Sequence, residues 1–177
     1  MNLKTGAIAL SVCMLTSCGT NIKSDRSKRQ IPKPMPIVLI NDYQNNAWGY
    51  QHNGVIIDNS GKSYYYDLSD KPQDITFKEE MTCFEKTMSE SDSESTGLDE
   101  NDILDIQDQL SQIDETAGFT CNSIMADAGQ TTLYAIKYTD NEPSKITIYS
   151  YGDTEQIPLD KHAYAIYQRC KDAGLIK

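Results

Sequence analysis

The stretch Gly54-Val-Ile-Ile-Asp58, Asn59-Ser60-Gly61, Lys62-Ser-Tyr-Tyr-Tyr-Asp67 limits the fold more than any other. Two β-branched or aromatic runs flank a short polar connection. Asp58 is placed to accept from the turn backbone, and Gly61 is free to take positive φ. The segment reads as a β-hairpin, so an antiparallel sheet is required. Side chains alternate along a strand, so Tyr64 and Tyr66 point to one face and Tyr65 to the other.

The flanking sequence extends this pattern. Ile37-Val-Leu-Ile-Asn-Asp-Tyr43 predicts a first strand, and Asn45-Asn46 a loop before Trp48-Gly-Tyr50. Phe77, Met81, Phe84 and Met88 recur at helical spacing and predict an amphipathic helix to about Ser89. Ser, Glu and Asp then interrupt the pattern from Glu90 to Gly97. Asp99 is suited to cap a second helix with Ile103, Ile106, Leu110 and Ile113 as its apolar stripe, ending near Asp114. These two helices are expected to form a helical hairpin or corner.

Strand character returns at Phe119–Ala126 and Thr131–Tyr138. Turn residues at Asp140–Ser144 and a further strand at Lys145–Tyr151 predict a second hairpin. Pro158 and Asp160 introduce a last helix, with Ala163, Ile166, Tyr167 and Cys170 on one face and Gly174 just past its end. The expected class is α+β: a mostly antiparallel sheet of about five strands built from two hairpins, with about three helices packed on one face.

The chain begins differently. A cationic start and the apolar run Gly6-Ala-Ile-Ala-Leu-Ser-Val-Cys-Met-Leu15, too short for a permanent bilayer span, have the form of a signal peptide. Leu15-Thr16-Ser17-Cys18 resembles the lipobox of bacterial lipoproteins. That resemblance covers about the first twenty residues. It implies thioether attachment of diacylglycerol to Cys18, cleavage before it, and a palmitate-type lipid anchor as the link to the membrane. Gly19 after Cys18 is similar to the pattern at the surface of Gram-positive cells. The expected organisation is a signal peptide over 1–17, a lipidated Cys18 with a basic, Pro-rich tether over 18–36, and a single α+β domain over 37–177. Pro32, Pro34 and Pro36 keep the tether extended.

Charge follows the same division. Gly19–Pro36 carries five Lys or Arg against Asp25, a balance of +4. From Ile37 onward there are ten Lys or Arg against 25 Asp or Glu, a balance of −15. A basic segment beside a lipid anchor is drawn to anionic headgroups, whereas the acidic domain offers nucleic acid no phosphate-neutralising face. Cys83, Cys121 and Cys170 allow one disulfide with one thiol over, or three buried thiols. No Cys-x-x-Cys pair or Cys/His cluster points to zinc.

Two groups of residues are candidates for binding. Trp48, Tyr50, His52 and Tyr65, beside Asn45 and Asn46, have the composition of a platform for a sugar ring or a peptide. The competing reading is that the Trp is core and the tyrosines only stabilise the sheet. Asp92, Glu94 and Thr96 fall on the first, third and fifth positions of an EF-hand-like loop. Ile103 stands where such a loop needs a bidentate Glu, so loose cation binding by a polar loop is the simpler reading. No nucleophile elbow, zinc-protease motif or glycine-rich phosphate loop is present, no cofactor is indicated, and no catalytic residue is assigned.

The functional expectation is a membrane-anchored, extracellular-facing lipoprotein that binds an envelope or extracellular ligand or protein partner. An extracytoplasmic hydrolase assembled around His52 or His162, and an inhibitor or immunity-like protein with an acidic surface, are the alternatives.

Overall fold

Ile37-Val-Leu-Ile40 is apolar at four successive positions, and a strand without polar alternation needs cover on both faces. In the computed structural model, which describes residues 37–47, 49–124 and 129–176, it has that cover. Strand β1 (Ile37–Asn45) lies within an antiparallel sheet, with Ile37, Leu39 and Ile40 fully buried. The other strands are β2 (Gln51–Asp58), β3 (Lys62–Asp67), β4 (Glu94–Ser95), β5 (Phe119–Ser123), β6 (Gln130–Thr139), β7 (Glu142–Tyr151) and β8 (Thr154–Pro158). The helices are α1 (Phe77–Glu90), α2 (Glu100–Leu110) and α3 (Lys161–Asp172). The sheet order is β4-β3-β2-β1-β6-β7-β8-β5.

The class is therefore α+β with three helices and an antiparallel sheet among the described residues. The sheet has eight strands rather than about five. The two strands that the sequence pattern does not predict, β4 and β8, carry little apolar pattern. β4 is two exposed residues inside the polar run after α1, paired with Lys62 and Ser63. β8, Thr-Glu-Gln-Ile-Pro, has one aliphatic residue and is held by its ladder to β5.

The helices also divide between the two faces of the sheet instead of sharing one. Met81 and Phe84 of α1 pack on Ile40, Ile56 and Tyr66, with the Phe84 and Tyr66 ring centroids 4.7 Å apart. Ile103, Ile106 and Leu110 of α2 join Ala163, Ile166, Tyr167 and Cys170 of α3 over Leu39, Ile57, Leu133 and Ile148 on the opposite side. Hence α1 and α2 form no helical hairpin. β4 ties the segment between them to the sheet edge, while Arg169 of α3 clasps Asp102 and Asp105 of α2.

Local chemistry sets the boundaries of these elements. Thr76 and Glu79 form a reciprocal capping box at α1, as do Asp99 and Asp102 at α2, and Asp160 caps α3. In the first hairpin the Asp58 carboxylate accepts from the backbone N–H groups of Ser60 and Lys62, and Gly61 takes φ +78°. In the second, Asp140 and Asn141 both adopt positive φ, which shortens the turn to two residues and brings Glu142 and Pro143 into β7.

The three described cysteines are free thiols. Cys83 sits with the α1 layer, Cys170 is buried in the α2/α3 layer, and Cys121 is exposed on β5, so neither a disulfide nor a set of three buried thiols is formed. Burial pushes the Cys170 thiol up to about 12, which keeps it an unreactive packing group.

Candidate functional site

A line of register across three strands builds a buried polar centre on the α1 face. Asp42 of β1 stands opposite Gly54 of β2, and Gly54 stands opposite Tyr66 of β3. Because Gly54 has no side chain, the Tyr66 hydroxyl crosses over it and donates to Asp42 Oδ1. A Cβ at Gly54 would lie 2.1 Å from the Asn41 carbonyl oxygen and 2.9 Å from the Tyr66 hydroxyl.

His52 reaches the same carboxylate from two residues earlier in β2. Its Nε2 is 2.9 Å from Asp42 Oδ1, while its Nδ1 is 3.0 Å from the Tyr50 hydroxyl. An ionised carboxylate only accepts, so Nε2 carries the hydrogen. Gln44 donates its amide to Asp42 Oδ2 at 2.9 Å.

Helix α1 supplies Glu80. One of its oxygens lies 4.0 Å from His52 Nε2, and the other is 2.5 Å from Lys145 Nζ of β7. Lys145 is further flanked by the Phe77 and Tyr134 rings, at 4.9 and 4.8 Å.

The titration behaviour follows from this packing. Burial by itself raises the Asp42 carboxyl, but hydrogen bonds from His52 and Tyr66 and nearby positive charge outweigh it, so the carboxyl lies below its ordinary value. Burial and the neighbouring Asp42 hold the Tyr66 phenol far above its usual range. Tyr50 is raised by burial, Asp42 and Glu80.

The order Tyr50–His52–Asp42 has the form of an acid–base relay, yet the arrangement opposes that use. A catalytic tyrosine would be activated by a lowered pKa, and a general base must reach its substrate. Here the tyrosine is raised, and His52 and Asp42 are 1% and 2% exposed. The centre's chemistry is to lock α1 onto the sheet. His162, the other histidine, bonds Gln109 at 2.7 Å beside its capping Asp160.

Of the residues singled out as a platform, Tyr50 and His52 meet, with the His52 ring buried and Tyr50 half-buried beside it. Tyr65 is 62% exposed on the opposite face of β3 from Tyr66, so it shares no surface with His52. Trp48 and Cys18 lie outside the described residues. In the EF-hand-like stretch, the Thr96 hydroxyl is buried, donating to the Gly61 carbonyl and accepting from the Leu98 N–H. Glu94 sits in β4, so the stretch pairs as sheet edge and does not wrap an ion. Among the described residues no three His, Cys, Asp or Glu side chains are grouped to hold a metal.

An open polar cleft at one end of the sheet was not foreseen. It has a volume of about 490 Å³ and is walled by Gln44, Asn46, Gln130, Asp153, Thr154 and Gln156. Two glycines shape it. Gly129, at φ +79°, lies so close to β1 that a Cβ would sit 2.7 Å from the Gln44 carbonyl oxygen. A Cβ on Gly152 would sit 2.9 Å from the Gly129 carbonyl oxygen. The sequence signals were Gly129-Gln130 before a strong strand and Tyr151-Gly152-Asp153 after one; pattern alone does not bring them together.

A second surface feature joins α3 to β7. The Tyr167 ring packs between Tyr149 and Tyr164, at centroid distances of 5.2 and 5.7 Å, with Tyr164 exposed.

No family model matches the chain, and neither a curated protein nor a solved structure is found to resemble it.

Proposed function

We propose that the chain is a lipid-anchored envelope protein, held to the outer side of the cell membrane through Cys18, whose acidic domain is a binding module. The observation that carries this reading is Leu15-Thr16-Ser17-Cys18 at the end of a short apolar run, followed by a tether of charge +4 and a domain of charge −15. Two acyl chains give stable attachment where a single chain is marginal. No helix among the described residues is long and apolar enough to cross a membrane. Binding is favoured over hydrolysis because His52 is enclosed while the cleft at the sheet end is open.

Growth of expressing bacteria with a labelled fatty acid tests the anchor. The wild-type chain should carry label and sediment with membranes, and Cys18→Ala should lose both properties. Label retained by the variant would remove the lipoprotein assignment.

A further inference from the structure

The walls of the cleft select a class of ligand. Five amides line it from three segments, namely Gln44, Asn45, Asn46, Gln130 and Gln156, and Thr154 adds a hydroxyl. Among its lining residues Asp153 is the one charged group, and no Lys or Arg contributes. An anionic ligand would therefore meet no counter-charge and would enter a domain of net charge −15. Among the described residues Ala47 is the one of the lining with an aliphatic side chain, so these walls form no apolar socket for a peptide anchor.

Two of the amides are held in place from below. The Asp42 carboxylate can only accept, so Gln44 turns its NH₂ toward it and keeps Oε1 for another donor. Gln130 donates its amide to the buried Ser150 hydroxyl at 2.8 Å and lies 3.4 Å from Thr132 Oγ1, which leaves its carbonyl oxygen likewise as an acceptor. The close glycine contacts set the strand ends beneath them. The cleft thus presents fixed acceptors at Gln44 and Gln130, beside the exposed Asp153 carboxylate and side chains at Asn46, Thr154 and Gln156 that can donate and accept.

We propose that this cleft binds a neutral, hydroxyl-rich ligand of the saccharide class, through hydrogen bonds to these amide and hydroxyl groups. Fixed acceptors together with adaptable groups match a ligand whose hydroxyls both donate and accept, and about 490 Å³ lies within the roughly 300–1,000 Å³ usual for small-molecule sites. The proposal deepens the binding-module reading and rests on it.

The test is calorimetric titration of the full-length protein in detergent micelles with a neutral N-acetylhexosamine tetramer, and with its sulfated counterpart. Asn46 is exposed, so Asn46→Ala and Gln156→Ala probe the cleft without entering the core. The neutral tetramer should bind, each substitution should weaken it roughly three- to tenfold, and the sulfated form should bind more weakly. Absence of heat from the neutral tetramer up to about 10 mM, affinity unchanged in both variants, or equal binding of the sulfated form would overturn the assignment. The Cys18→Ala protein separates the two readings: the anchor can fail while the cleft still binds, and the cleft can stay silent in a lipidated protein.

Discussion

The two faces of the sheet solve the same packing problem with different chemistry. Beneath α2 and α3 the contacts are Leu39, Ile57, Leu133 and Ile148 against Ile103, Ile106, Ile166 and Cys170, an apolar interior. Beneath α1 the apolar patch around Ile40, Ile56 and Phe84 gives way to the buried Asp42, His52 and Glu80, with the half-buried Lys145 against Glu80. Apolar packing tolerates adjustment and loses stability in proportion to the volume removed. A buried ionic centre contributes little net stability when complete and is severely destabilising when one partner is missing. Both faces therefore draw stability from apolar packing, and on the α1 face the polar centre also fixes where the helix sits.

The largest effect that distinguishes the faces is expected at Gly54. Gly54→Ala places a carbon against the Asn41 backbone and the Tyr66 hydroxyl at once. It should destabilise by more than about 4 kcal/mol, measured by urea unfolding; a change below about 1 kcal/mol would mean that the three-strand register does not define the centre.

Next comes the ion pair between α1 and β7. Glu80→Leu and Lys145→Met should each cost about 3–5 kcal/mol, whereas the double variant should return most of that loss. On the other face, Ile166→Ala should lose about 2–5 kcal/mol and should add to either single change, since the sites share no partners. Additive losses at Glu80 and Lys145, with no recovery in the double variant, would show that the two do not act as a pair.

The smallest effect is a difference in pH dependence. The folded-state carboxyl of Asp42 lies below its ordinary 3.8. Its contribution is present above the unfolded value and is lost as pH falls through the lower folded one. Stability of the wild type relative to Asp42→Asn should therefore decline below about pH 4. Parallel curves for the two proteins in acid unfolding would remove Asp42 as the source.

Much of the fold was legible because local rules agreed. Asp58 and Gly61 define a turn whatever surrounds them. Asp99 and Asp160 begin helices where capping chemistry requires, and the apolar stripes of α1, α2 and α3 are the faces that become buried. What was not legible depends on pairing between distant residues. The four-residue run at Ile37 carried the information that both faces are covered, but allotting helices to faces needs the sheet order. β4 and β8 exist because a ladder reaches them. The candidate site shows the same limit. His52 and Tyr50 stand out in the sequence, but burial of the imidazole depends on Glu80 and Tyr66, and the cleft assembles residues from Gln44 to Gln156 that share no pattern.

The position of β1 also has a consequence in time. The first strand pairs with β2 a few residues away and with β6 almost a hundred residues later, Leu39 standing opposite Ala135. One ribbon, β1 to β3, can close by local steps, and so can the hairpin of β6 and β7. Joining them is a single long-range seam, and non-local pairing of this kind slows folding. Until residues near Gln130 have left the ribosome, the outer edge of Ile37–Asn45 is an open row of backbone donors and acceptors bearing the most apolar run of the domain. That interval is when a nascent chain of this design is most prone to pair with a neighbour or to need a chaperone.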